Sequence, residues 1–230
     1  MLVPLDVTGN ELVRTVTSLR TKLANPAAQV TEFADLYARL LVPVRPYIRH
    51  SNLVIIPHGI YDLARNQGWI HVGLSRDTTE FACDSLRLFW HADGQRLYPK
   101  ASAILLLCDG GGSNSCHKHL FKEDLQGVVN DLAVPIRVAH YPAYCSKFNP
   151  IERRLFSHVT RACQGVLFDS LHTVLGLMQK TKTQQGLTVT VRVLDKLYQG
   201  GRTVSEVFKK NMPIVFEKLL PKWNYWALPQ

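Results

Sequence analysis

The chain has 230 residues, 46% of them hydrophobic and 20% charged, with a formal net charge of +9. That apolar content supports a packed core and excludes a disordered chain, and with no run of 18 or more apolar residues a helical membrane span is not expected. The charge is uneven: residues 140–230 carry 13 Lys and Arg against 5 Asp and Glu, residues 1–139 carry 14 against 13. A basic C-terminal part on a near-neutral body suits a polyanion, nucleic acid first, and equally a solvated basic surface. Five widely spaced cysteines (Cys83, Cys108, Cys116, Cys145 and Cys163) and a first segment without a basic region leading into an apolar stretch fit a cytosolic protein with reduced thiols.

In chain order, Leu12, Val13, Val16, Leu19 and Leu23 predict an amphipathic helix over 10–24, capped by Asn10 and stopped by Asn25-Pro26. A second helix starts at the N-cap Thr31 and runs through Phe33, Leu36, Tyr37, Leu40 and Leu41 to Pro43. Residues 53–56 predict a short buried strand, ended by Pro57-His58-Gly59. Residues 69–74 predict another, followed by a helix capped by Asp77 or Thr78 that runs through Phe81, Ala82, Leu86 and Phe89-Trp90 and closes at Ala92-Asp93-Gly94. The apolar run 103–108 predicts a strand buried on both faces. A helix over 117–132, a strand at 136–139, a loop with two prolines at 141–150 and a helix from Ile151 to Cys163 behind Pro150 come next. A helix near 170–181, a strand at 187–193 and a C-terminal helical stretch complete the chain. The alternation from residue 69 onward predicts an α/β class with a mixed sheet.

Two acidic residues stand out. Asp109 ends the apolar run 103–108 and precedes Gly110-Gly111-Gly112-Ser113-Asn114. Functional side chains of α/β sheets gather at the carboxyl ends of strands, and glycines permit close approach to a ligand. An Asp before glycines is also ordinary turn chemistry. Glu152 lies in the first turn of a basic helix beside Arg153 and Arg154, with Arg161 further on. The helix dipole alone accounts for an acid there, and the arginines also suit a surface ion-pair face. Brought together, the two carboxylates could hold a divalent metal, an arrangement used to cut and join nucleic-acid backbones. Other groups carry less. Cys116, His117 and His119 lack zinc-site spacing. Cys145 with His140 lacks a third, orienting residue for thiol catalysis. Trp223, Tyr225 and Trp226 beside Lys222 suit packing on the body or stacking on bases.

Read in order, residues 106–114, 136–142, 146–156 and 158–165, with Pro57-His58-Gly59-Ile60-Tyr61-Asp62 and 77–82 upstream and Thr181-Lys182-Thr183 to Val189 downstream, resemble the core of bacterial insertion-sequence transposases of the DDE type over roughly residues 57–205. The resemblance implies a ribonuclease-H-like α/β fold, a five-stranded mixed sheet with flanking helices. It makes Asp109 the second and Glu152 the last of three catalytic, metal-binding carboxylates, served by Mg²⁺ or Mn²⁺ because hard cations take oxygen ligands. Ser113, Asn114, Lys147, Asn149, Arg153, Arg154 and Arg161 would position DNA phosphates or the acids. The partner implied is DNA, both element ends and target; the resemblance allows a homo-oligomer, calls for no membrane, and places the chain in the bacterial cytosol or nucleoid. The chain departs from the family in two ways. Arg153 stands where the family has His. The first catalytic Asp, on a strand of an N-terminal hairpin, has no counterpart: Asp62 and Asp77 fall inside segments that already match, and Asp6 looks like a turn acid.

The expected organisation is therefore a catalytic core over 57–230, lacking its first two strands, behind a helical appendage of residues 1–56. Within residues 1–59, Leu36-Tyr37-Ala38-Arg39-Leu40-Leu41-Val42-Pro43, Arg45-Pro46-Tyr47-Ile48 and Leu53 to Gly59 resemble a fragment of a caspase-like CHAT domain, without its catalytic His and Cys. A divergent transposase N-terminus is the alternative. The function implied is metal-dependent DNA end cleavage and strand transfer by a truncated or chimeric transposase, the alternative a catalytically inactive DNA-binding remnant.

Overall fold

The computed structural model describes residues 54–109, 111–142, 145 and 148–230. All belong to the second of two units into which the chain divides, Ser51–Gln230. The expected helices at 10–24 and 31–43, the CHAT-like segment up to residue 53 and Asp6 lie outside the described residues.

A hairpin comes first. Strand β1 (Ile56–Asp62) runs antiparallel to β2 (Gln67–Gly73), with His58 opposite His71. The strand expected at 53–56 is thus shifted, and Pro57-His58-Gly59 lie inside β1 rather than ending it. β1 is the outer strand of its sheet, where a missing proline N–H is tolerated. The turn is made instead by Asp62, whose Oδ1 accepts from the backbone N–H of Ala64 and Arg65 at 2.9 and 3.1 Å, and by Asn66 at φ 53°. β2 pairs in parallel with β5 (Thr188–Leu194), giving the order β1-β2-β5. As the central strand it is buried on both faces.

Helix α1 (Thr79–Phe89) is capped by Thr78, whose Oγ1 accepts from Phe81 N–H at 3.1 Å. The expected stop at Ala92-Asp93-Gly94 does not occur. The helix widens into a π-turn (Trp90–Gly94) and continues to Leu97. Gly94 sits under the Trp90 ring, where a Cβ would come within 2.6 Å, so this glycine packs inside the helix.

The second sheet has the order β3-β4-β7-β6. Strands β3 (Ile104–Cys108) and β4 (Ile136–His140) are parallel and joined by α2 (His119–Leu132). The C-terminal stretch is not wholly helical: a short helix, Glu206–Asn211, leads into β6 (Ile214–Phe216) and β7 (Asn224–Ala227), both antiparallel to their neighbours. In β7 the buried residues alternate, Tyr225 and Ala227 both at 0% exposure, which is strand periodicity.

Helices α1 and α2 pack together, and one core joins them to both sheets through Trp69, Leu86, Phe89, Phe121, Leu125, Val129, Val138 and Tyr225. A second core gathers Ile70, Val72 and Val189 of the hairpin sheet with Leu155 and Val159 and with Val174 and Met178 of the helix Leu171–Gln179. β3 is not buried on both faces as expected. Ile104 and Leu106 pack on the first core, but Leu105 is 60% exposed. Among the described residues β3 is an edge strand, and its helical cover lies on one face. The result is an α/β arrangement of mixed sheets with flanking helices. No helix among the described residues is long and apolar enough to cross a membrane.

Candidate active site

Asp109 follows β3 directly, at the strand's carboxyl end. Its backbone carbonyl is held by His140, the last residue of β4, whose Nδ1 lies 3.1 Å away. A carbonyl only accepts, so Nδ1 carries the proton. His140 Nε2 then accepts from the Tyr225 hydroxyl at 3.1 Å. Burial lowers the His140 pKa and keeps the ring neutral, as this arrangement requires. Next to Asp109, burial and the Asp109 charge push the Cys108 thiol up to about 12.

Glu152 opens a π-turn (Glu152–Phe156) that runs without a break into α3 (Ser157–Cys163). The expected α-helix from Ile151 is therefore wider in its first part, where Ser157 N–H reaches the Glu152 carbonyl. Such insertions are frequent at functional sites. Asn149, 6% exposed, sets the start: its carbonyl accepts from Glu152 N–H at 3.2 Å and its Oδ1 from Ile151 N–H at 3.4 Å. The turn is seated on the hairpin by two glycines. A Cβ on Gly68 would lie 2.5 Å from Leu155 Cδ1, and one on Gly59 would lie 2.6 Å from Phe156 Cζ. Two bare backbone positions thus let the Glu152 segment press onto β1 and β2.

Burial, and then the charge of Asp109, raise the Glu152 pKa. Neither carboxylate is in an ion pair among the described residues. Among the described residues the site therefore holds carboxylate oxygens that no cation pairs with, which suits a hard divalent cation. The set is small: among the described residues no group of three or more His, Cys, Asp or Glu could hold a metal.

Several other acids of the core have partners of their own. Asp62 closes the hairpin and accepts from Tyr98 O–H at 2.6 Å. Asp93 pairs with Arg192, Asp84 with Arg87 and Lys196, and Asp124 with Arg202. Asp77 is exposed.

Of the expected phosphate-positioning residues, Ser113 and Asn114 sit in the short turn Gly112–Asn114 just after Asp109, with Gly112 at φ 65°. Arg153, Arg154 and Arg161 are exposed. Asn149 lies buried under the turn and acts on Glu152 through the backbone. Lys147 lies outside the described residues. His140 is engaged at both ring nitrogens, so it is not a base for Cys145. His117 and His119 are exposed and Cys116 is buried. Tyr225 is buried, and Trp226 Nε1 donates to Glu217 at 2.9 Å, so this pair packs on the body.

Two features escape sequence reading. One is the Tyr225–His140 support of Asp109. The other is Ser85, fully buried, with its hydroxyl 2.9 Å from His58 Nδ1 and 2.7 Å from His71 Nδ1. Burial holds both imidazoles at a pKa of about 4.

A family model described as the Rhodopirellula transposase DDE domain matches residues 17–229. The match extends on both sides of the segments that carry the resemblance. No curated protein and no solved structure matches. With a match spanning that much of its length, the chain belongs to this family of insertion-sequence DDE transposases.

Proposed function

We propose that Asp109 and Glu152 are two of the metal-binding carboxylates with which this transposase cuts DNA at element ends and transfers the cut strand to a target. What supports this reading is the placement of Asp109 at the carboxyl end of β3 and of Glu152 at the start of a π-turn, neither acid being in an ion pair among the described residues, with the Glu152 pKa raised by burial and then by Asp109. Mg²⁺ or Mn²⁺, when bound, supplies activation of a water or 3′-hydroxyl oxygen and stabilises the leaving oxygen. The chain's own residues set the geometry. Tyr225 and His140 fix the backbone at Asp109, Asn149 fixes the first turn at Glu152, and Leu155 and Phe156 hold that turn against Gly68 and Gly59. Arg153 and Arg154, exposed beside Glu152, meet phosphates, as do Ser113 and Asn114 in the turn after Asp109; Lys147, outside the described residues, has the same role in this reading.

Among the described residues no third carboxylate joins these two in a metal-binding group. Strands β1 and β3 each have one edge without a strand partner among the described residues, and both are less buried than β2 and β4. The division of the chain at His50–Ser51 supports residues 1–56 as an appendage to a core over 57–230. A family match that starts at residue 17 favours a divergent transposase N-terminus there over a CHAT fragment. A second reading, a DNA-binding remnant without catalysis, is favoured by the missing three-ligand group among the described residues.

The test is a thermal melt against Mn²⁺ of the parent, Asp109→Asn and Glu152→Gln. Metal at 100 times its Kd adds about 2.7 kcal/mol, roughly 5–10 °C in Tm for a chain of this size. A rise in the parent and none in either variant supports the paired site. A cooperative parent melt indifferent to Mn²⁺ selects the remnant.

A further inference from the structure

A groove of about 450 Å³ lies between α3 and the turn that leads from the helix Leu171–Gln179 into β5. His158, Arg161 and Ala162 form one wall, spaced as neighbours on one helical face. Residues 180–185 form the other. No Asp or Glu lines it. Arg161, Lys180 and Lys182 are exposed, and none is in an ion pair among the described residues. Some cations elsewhere on the surface, Arg87, Arg192, Lys196 and Arg202 among them, are held by carboxylates. The imbalance is written into the chain: residues 153–194 contain one acid, Asp169, against six Lys and Arg.

A second, independent observation points to a ligand. Thr181 lines the same groove, is 3% exposed, and its Oγ1 has no hydrogen-bond partner. A buried hydroxyl left so gives up its hydration with no bond in return. The wall that carries it is built rather than loose. Thr181 N–H donates to Met178 O at 3.1 Å, Leu187 N–H donates to Thr183 Oγ1 at 3.2 Å, and Lys182 bridges to Thr188. Three unpaired cations and an orphan hydroxyl on a fixed frame suit an anion rich in acceptor oxygens.

We propose that this groove seats backbone phosphates of the DNA, independently of sequence, at a distance from the carboxylates. This rests on the DNA-cutting reading above. α3 continues the helical run that begins at Glu152, and a rise of 1.5 Å per residue puts Arg161 about 13 Å from it. That is on the scale of the axial rise of about four base pairs at 3.4 Å each. The groove then fixes the direction in which the duplex leaves the reacting bond.

The experiment is fluorescence anisotropy of the full chain with two unrelated duplexes of about 30 base pairs over a KCl series. It compares the parent, Lys180→Gln/Lys182→Gln, Arg161→Gln from the opposite wall, and the control Lys209→Gln/Lys210→Gln. The control removes equal charge from the short helix Glu206–Asn211. Removing one cation that neutralises a phosphate lowers the slope of log K against log [KCl] by about 0.9. The 180/182 pair is expected to lower it by roughly 2 on both duplexes, about 60-fold in affinity at 0.1 M salt, and Arg161→Gln by roughly 1, with a smaller change in the control. Equal slopes for the 180/182 and 209/210 pairs, an unchanged slope in the groove variants, or a parent without salt-dependent DNA affinity each overturns the groove. The Mn²⁺ melt separates the two readings. Groove-dependent DNA binding without a Mn²⁺ response sinks the carboxylate site alone, and the reverse sinks the groove alone.

Discussion

Substituting Gly68 by Ala adds one methyl group at the place where the Glu152 turn rests on the hairpin. Its backbone is compatible with an L-residue, since its φ is not among the positive values, so the effect isolates the close approach. Elsewhere such a change gains about 0.4–1 kcal/mol by restricting the unfolded chain. Here the new Cβ lies 2.5 Å from Leu155 Cδ1, 3.1 Å from Cδ2 and 3.3 Å from Cγ. Ordinary carbon contacts are about 3.5–4.0 Å, so Leu155, fully buried, must retreat by about 1 Å. Overpacking of this kind costs about 1–3 kcal/mol, roughly 2–12 °C in Tm. Leu155→Ala alone costs about 2–5 kcal/mol through the cavity it leaves. The double variant is expected to be more stable than the sum of the singles by about 1–3 kcal/mol, because the new methyl occupies space that Leu155 vacates. Urea denaturation of the four proteins at equal m-value measures the cycle. Additivity within about 0.5 kcal/mol, or a Gly68→Ala chain more stable than its parent, refutes the seating. Gly68→Ala should also reduce the Mn²⁺ response, since Leu155 carries Glu152 with it.

Acid should destabilise the chain before its carboxylates titrate. His71, fully buried, has a pKa near 4 in the fold against 6.5 unfolded, so the unfolded state binds the extra proton and stability falls as pH drops from 6.5 towards 4. For His71 alone the loss between pH 7 and pH 5 is about 2 kcal/mol, with His58 acting in the same direction; equal urea midpoints at the two pH values would sink this assignment. Tyr225→Phe removes the donor to His140 Nε2 and leaves a buried acceptor unpaired, which should cost about 1–3 kcal/mol, and a loss under 0.5 kcal/mol by denaturation would show that His140 does not depend on it. Glu152→Gln should raise Tm in metal-free buffer, because burial and Asp109 disfavour the charged form; a lower Tm there argues against the pairing of the two acids.

What could be read from the chain was local. Thr78 caps its helix as its hydroxyl and position suggest, and Asp109 lies at the end of an apolar strand because six apolar residues followed by glycines leave little else to form. Readings failed where a neighbour distant in sequence decides the outcome. Pro57 and Gly59 look like a break, yet an outer strand accepts the proline and the glycine is needed under Phe156. Leu105 belongs to a run apolar enough for two-sided burial, but the sheet is covered on one face there. Strands β6 and β7 are short, and β7 gains its ladder from β4 while β6 pairs only with β7, so nothing within them announces a sheet. At the site, Arg161 was legible as a cation near Glu152. Lys180 and Thr181 were not, because their groove exists only once α3 lies against the following turn.

The support of Asp109 by Tyr225 has a consequence for the order of events on the ribosome. His140 and Tyr225 are 85 residues apart. At about 5–20 residues per second, roughly 4–17 s separate their synthesis. Through that interval the β4 ladder edge that β7 will cover stands open, and the imidazole beneath Asp109 lacks its phenol. A nascent transposase can already carry both carboxylates, yet their alignment awaits the last strand to arrive. Translation itself thus delays competence, and a chain interrupted before Tyr225 would leave the acid without its anchor.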